Sequence, residues 1–296
     1  MSAQPALQTT PSAHHPRRPR IALMGEFSAG KSTLANLLLG QSVSPVKVTA
    51  TQLPPVWYTL GDPAVLRIDN SGAELPIAAN DLDAVSHKET QAVRIQLQAE
   101  VLEFCDVIDM PGTSDPNMPQ DIWERMLARV DGVIWCTPAT QAWRQSEAAL
   151  WEGLPAALHD NSLLLITRMD KLQTEKDRDR VVARVRHETH GLFSKALPIS
   201  LLEALADPEN PDTLQRCGAD LFVESLVELV ENLGTPSHDR GPVSFAPIKQ
   251  GTAPVSAAQT APAPAPAAAC SDGVVPRRVV PKRVRRPQQP GPQASA

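Results

Sequence analysis

The chain has 296 residues and a formal net charge of −5, long enough to bury a full core. Residues 1–20 carry +3 and residues 236–296 carry +6, which leaves −14 on residues 21–235 and excludes a broad nucleic-acid-binding face there. Four cysteines with no C-x-x-C pair exclude a disulfide framework or a zinc-ligand pattern and suit the reducing cytosol; no apolar run reaches the ~20 residues of a membrane span, and the N-terminus lacks the apolar segment of a secretory signal.

Proline marks the ends: of 29, four fall in residues 1–20 and twelve in 236–296. Residues 1–19 are expected to be a disordered basic segment. Residues 236–296 are expected to be a disordered Pro/Ala-rich tail with a basic end, and 20–235 to be the domain. In that domain Arg20 to Gly25 reads as a buried strand. Residues 31–40 follow as a helix with Gly40 as its stop. Val56 to Leu60 and Ala64 to Asp69 read as strands joined by a turn at Gly61-Asp62-Pro63. Asn80 is a good N-cap for a short helix to about Lys88. Val93, Ile95 and Leu97 alternate with polar residues, the mark of a half-buried strand. Glu103 to Asp109, Asp131 to Cys136 and Ser162 to Thr167 are further strands, and Leu197 to Ser200 a last one. Helical patterns cover 119–130, 143–158, 174–192 and 219–234, the last being the only helix expected after residue 210. Strands alternating with helices predict an α/β fold, a mainly parallel sheet flanked by helices. The strand-rich stretch 55–109 predicts an antiparallel extension of it.

Three motifs fall on the ends of predicted strands. Gly25-Glu26-Phe27-Ser28-Ala29-Gly30-Lys31-Ser32 matches G-x-x-x-x-G-K-[ST], with a strand before it and a helix after. Glycines let successive backbone N–H groups curl around an anion, and the helix adds its positive end. Lys31 would meet the β and γ phosphates, and Ser32 would ligate Mg²⁺. The loop with Ser28, Ala29, Gly30 and Thr33 predicts a nucleoside-triphosphate site. Asp109-Met110-Pro111-Gly112 ends the strand 103–109. There Asp109 would hold the outer shell of Mg²⁺, and Gly112 would offer its N–H to the γ phosphate. Thr167-Arg168-Met169-Asp170 approximates the [NT]-K-x-D guanine box. A carboxylate at Asp170 accepts from N1–H and the exocyclic amine of guanine, which adenine does not offer. Arg168 would stack on the base. These residues point to GTP with Mg²⁺. Between the first two motifs, 41–54 offers Thr49 and Thr51 to the metal, Thr49 being preferred.

The stretch Gly25 to Leu34, with Asn36 to Gly40 after it, resembles the first loop and helix of dynamin-like GTPases, bacterial ones in particular. The resemblance covers about 20–235. It implies GTP hydrolysis with Mg²⁺, pairing of two GTPase domains, and a role for Ser28 in organising the transition state with a monovalent cation. Phe27 stands where many eukaryotic relatives carry a water-positioning Gln, and Thr113 follows Gly112 where Ras-like proteins keep a catalytic Gln. The helical bundles that follow the domain in dynamins have no counterpart in the sequence after residue 235.

The enzyme reading therefore has a rival. In it the chain is a GTP-dependent switch or adaptor with little hydrolysis, recruited to a membrane or partner by its basic tail. An ATPase is disfavoured by Thr167 to Asp170. The basic run 277–286 carries six cations and suits an anionic membrane surface or a protein partner; without interleaved aromatics it argues against nucleic acid. The chain is expected in the cytoplasm, peripheral to the membrane if that run docks. Trp143 and Trp151, eight apart on a predicted helix, read as core. His187 and His190 read as exposed, and Glu26 as a loop position tolerant of many residues.

Overall fold

Five consecutive apolar positions and no room for a polar one make Arg20–Gly25 a strand buried on both faces, and it becomes β1 at the centre of the sheet. The computed structural model describes residues 17–41, 54–86, 88–113 and 120–234. Thr49, Thr51, the tail with its basic run 277–286, and residues 1–16 lie outside the described residues.

On one side of β1 lies β6 (Asp106–Asp109), and on the other β7 (Gly132–Pro138), β8 (Ser162–Thr167) and β9 (Lys195–Pro198), all parallel. Beyond β6 the order continues β2 (Val56–Leu60), β5 (Thr90–Leu97), β3 (Ala64–Asp69) and β4 (Glu74–Pro76). The expected extension is present, with antiparallel pairing at β2–β6, β5–β3 and β3–β4. Yet β2 and β3, joined by a tight turn, do not pair with each other. β5 inserts between them and runs parallel to β2.

Alternate residues of each central strand serve opposite faces. Ile21 and Leu23 pack with Leu34, Ala35 and Leu39 of α1 (Lys31–Leu39), with α7 (Leu201–Ala206), α8 (Pro211–Cys217) and α9 (Ala219–Leu233). Ala22 and Met24 pack on the other side, with residues of α3 (Gln120–Leu127), α4 (Gln145–Glu152), α5 (Ala156–His159) and α6 (Glu175–Glu188). Gly40 ends α1 as expected, with φ 64° and its amide on the Leu37 carbonyl at 3.3 Å.

Several boundaries differ from the sequence reading. Val101–Phe104 forms a helical turn, α2, so the strand expected from 103 starts at Asp106. The helix expected after Asn80 is a 3₁₀ segment, Ala79–Ala84. The pattern 143–158 splits into α4 and α5 because Pro155 cannot continue a helix. α6 stops at Glu188, short of 192, and β9 lies two residues before the expected strand. α8 corrects the expectation of a single helix after residue 210. Its start was written in the sequence: Asn210 accepts from the amides of Asp212 and Thr213, and Pro211 occupies the first turn.

At the end where the parallel strands begin, charges interlock. Arg17 donates to both Asp131 oxygens at 2.6 and 3.0 Å, so contacts to the sheet include a residue three positions before the expected domain start. Trp57 lies between the Arg20 and Arg94 guanidiniums, 4.4 and 4.3 Å from its ring, and donates to Asp106 at 3.0 Å. Gly132, next to Asp131, leaves room for Leu233, whose Cδ1 would be 3.2 Å from an added Cβ.

Candidate functional site

The carboxyl ends of β1, β6, β7 and β8 converge because the four strands are parallel, the usual place for a ligand in such sheets. The loop from Gly25 to Gly30 turns sharply there. Gly25 has φ 135°, and a Cβ would fall 2.2 Å from the Cys136 carbonyl oxygen, so only glycine lets β1 and β7 meet at this point. Ser28 and Gly30 also have positive φ, 58° and 97°. The N-terminus of α1 has no side-chain cap. Its first turn, Lys31 to Thr33, thus carries amides suited to an anion.

Lys31 is buried. Its ammonium donates to the Gly25 carbonyl at 3.1 Å and the Glu26 carbonyl at 2.8 Å. Burial lowers its pKa below the ordinary 10.5, and the neighbouring Asp109, Cys136 and Glu26 oppose the shift. Asp109 is the last residue of β6 and is buried beside it. The Thr113 amide donates to the Gly25 carbonyl at 3.2 Å, and a Cβ on Gly112 would press on Phe27 backbone atoms at 3.0 Å. The D-x-P-G segment is therefore laid directly against the glycine loop. Phe27 itself is 59% exposed.

The third motif joins them through one hydroxyl. Thr167, at the end of β8, is fully buried and donates to the Ala29 carbonyl at 2.7 Å. Arg168 then adopts φ 57°, and Met169–Lys171 forms a 3₁₀ turn. Asp170 accepts from Ser200 at 3.4 Å and pairs with Lys171 at 3.3 Å. The structure thus brings together Gly25, Ser28, Ala29, Gly30, Lys31, Asp109, Gly112 and Thr167, with Arg168 and Asp170 on the adjoining turn. Ser32 and Thr33 follow on α1.

Sequence reading missed two groups of neighbours. Ser200 and Leu201 follow β9; Ser200 touches Asp170, and Leu201 Cδ1 would be 3.2 Å from a Cβ on Gly30. The other group is the segment after β7. Glu147 is fully buried and accepts from Trp135, Thr137 and the Arg144 amide, all at 3.0 Å. Burial raises its carboxyl above the ordinary 4.5 against those hydrogen bonds, and Glu26 adds to the rise. Glu26 is no tolerant loop position: Ser146 donates to its carboxylate at 2.7 Å and Arg144 at 3.2 Å. The legible signal was Glu147 three residues after Arg144, the spacing of a capping box. Trp143 and Trp151 are both core, as expected, but Trp143 precedes α4 instead of sharing its face. His187 and His190 are exposed.

Among the described residues no helix is long and apolar enough to cross a membrane, and no group of His, Cys, Asp and Glu is arranged to hold a metal ion by itself.

Residues 21–169 match the model of the dynamin family. Dynamin-like protein 2 of Campylobacter jejuni is 25% identical over 190 residues, 62% of this chain and 31% of that protein. The isoniazid-induced protein IniC of Mycobacterium tuberculosis is 32% identical over 125 residues, 38% of this chain and 25% of that protein. A solved structure described as an oligomerised bacterial dynamin pair superposes with a TM-score of 0.54 at 21% identity, covering 74% of this chain and 35% of that one. The chain thus spans about a third or less of the length of these relatives.

Proposed function

The chain belongs to the dynamin family, whose members are GTPases, and we propose that it binds GTP at the converging strand ends and hydrolyses it to GDP and phosphate. The observation that carries this reading is Lys31: a buried ammonium held by two backbone carbonyls, at the foot of an uncapped helix N-terminus. A phosphate group would give that cation a charged hydrogen-bond partner in place of neutral carbonyls.

Each motif then has a task. Lys31 and the amides of Ser28 to Thr33 bind the phosphates. Ser28, whose φ of 58° supports a special backbone role, would organise charge in the transition state. Gly112 lies on the loop and reports on the terminal phosphate. Asp170, oriented by Ser200 and Lys171, reads the guanine edge, Thr167 ties its turn to the phosphate loop, and Arg168 covers the base. The oxygen donors Ser32 and Asp109 suit Mg²⁺, with Thr49 (or Thr51) as the further ligand. When bound, that ion neutralises charge on the phosphate oxygens.

Membership of the family supports a pairing of two GTPase domains. Phe27 supports the rival reading of a slow switch, because it has no polar group to orient water. The basic run 277–286 would bring either form to an anionic membrane from the cytoplasm, or to a protein partner.

The test is GTP and ATP turnover with Mg²⁺ across a range of protein concentrations, beside Lys31→Ala. GTP-specific turnover that rises with concentration and is lost in the variant supports a paired GTPase. GTP binding without turnover moves the chain to the switch class. Equal use of ATP sinks the guanine reading.

A further inference from the structure

Glu26 belongs to the phosphate loop but has no part in the reading above. Its carbonyl accepts the Lys31 ammonium at 2.8 Å and the Ala29 amide at 3.2 Å. Its carboxylate is gripped on both oxygens, Oε1 by the Ser146 hydroxyl at 2.7 Å and Oε2 by the Arg144 guanidinium at 3.2 Å. The Glu26 side chain is 12% exposed although Arg144 is open to solvent on one side.

An exposed ion pair between two free side chains contributes little, because both must be ordered to make it. This one differs in its footing. The Arg144 amide is fixed on Glu147, and Glu147 also takes the Trp135 indole and the Thr137 hydroxyl. That hydroxyl in turn accepts the amide of Trp143, a bulky residue held at φ 56°. The segment bearing Arg144 and Ser146 is thus fastened to β7 before it touches the phosphate loop. Hydrogen bonds at the backbone and side chain of Arg144, and at the side chain and carbonyl of Glu26, link the buried Glu147 to Lys31.

The geometry points to Glu26 as a positioning residue of the phosphate loop, which Arg144 and Ser146 hold in the shape that receives a nucleotide's phosphates. It acts through the loop and touches no phosphate itself. The inference rests on the proposal that a guanine nucleotide binds here. Preorganisation of this kind lowers the cost of binding and adds nothing specific to the transition state. Its loss should therefore raise KM and Kd and leave kcat in place.

The experiment is calorimetric titration with GDP and steady-state GTP turnover for the wild type, Ser146→Ala with Arg144→Ala, and Arg144→Lys. Both positions are exposed, so the variants keep the fold. The double variant should bind GDP about tenfold more weakly and raise KM to match with kcat unchanged. Arg144→Lys, which keeps the charge, should stay within about twofold. The wild-type affinity should fall more steeply with added salt than that of the double variant, which keeps the attraction of Lys31 for phosphate but lacks the ion pair. A double variant that binds GDP as the wild type does overturns the inference and leaves the GTPase reading intact. A drop in kcat at constant KM overturns it as well, since it would put Arg144 in the transition state. A wild type that binds no GDP overturns the functional reading itself.

Discussion

The two ends of the parallel strands both carry ion pairs but differ in how they hold their most buried charges. Where the strands begin, charge meets charge: Arg17 is fixed on Asp131, and Trp57 separates two guanidiniums while bonding Asp106. Where the strands finish, Glu26 pairs with Arg144 and Asp170 with Lys171, but the most deeply buried cation, the Lys31 ammonium, makes its hydrogen bonds to neutral carbonyls. The backbone divides in the same way. Ser28, Trp143 and Arg168, the three non-glycine residues with positive φ among the described residues, all follow the carboxyl ends of β1, β7 and β8. At one end the buried charges of Arg17 and Asp131 are paired within the fold. The other combines positive-φ backbone with a buried cation held by carbonyls, the pattern of a site built for a ligand.

The sharpest way to break that division is Trp57→Ala. Removing a fully buried indole at the starting end should cost about 3–5 kcal/mol of stability, read from the denaturation midpoint. GDP affinity of the protein that remains folded should not change. A parallel loss of affinity would show that the two ends are not independent. Asp170→Asn asks the converse question. It should lower the preference for GTP over ATP about 100-fold in competition binding, while stability moves by less than about 1 kcal/mol. The smallest effect is that of pH on Asp106. Burial holds its carboxyl above the usual carboxylate value, against the pull of the Trp57 N–H and Arg20. The folded state therefore binds the proton more tightly than the unfolded one. This contribution is complete below the ordinary 3.8 and is lost as pH rises through the raised value. Asp106→Asn should flatten that decline in a series of denaturation curves, and an unchanged slope would assign it to another group.

Much of this was legible in the residues. β1, β2, β3 and β8 and the start of α1 fell where apolar runs, glycines and caps placed them, and the three motifs lie at the ends of parallel strands as read. What escaped was long-range. No local signal says that β5 enters between β2 and β3, because that pairing is chosen by the sheet. β4 is three exposed residues that gain a strand only from β3. Glu26 looked neutral because its partners lie some 120 residues away. Ser200 and Leu201 carry no motif and matter only because β9 sets them beside Asp170 and Gly30.

The contact of Arg17 with Asp131, one residue from the glycine that accommodates Leu233, has a mechanical consequence. Residues 17 and 233, near the two limits of the described domain, meet at the start of β7, and β1 sets the phosphate loop about 20 Å beyond them. Such a domain can be spliced into a longer chain as a cartridge, with both seams on the same side. A pull applied across the seams would load the start of β7 and leave the far end slack.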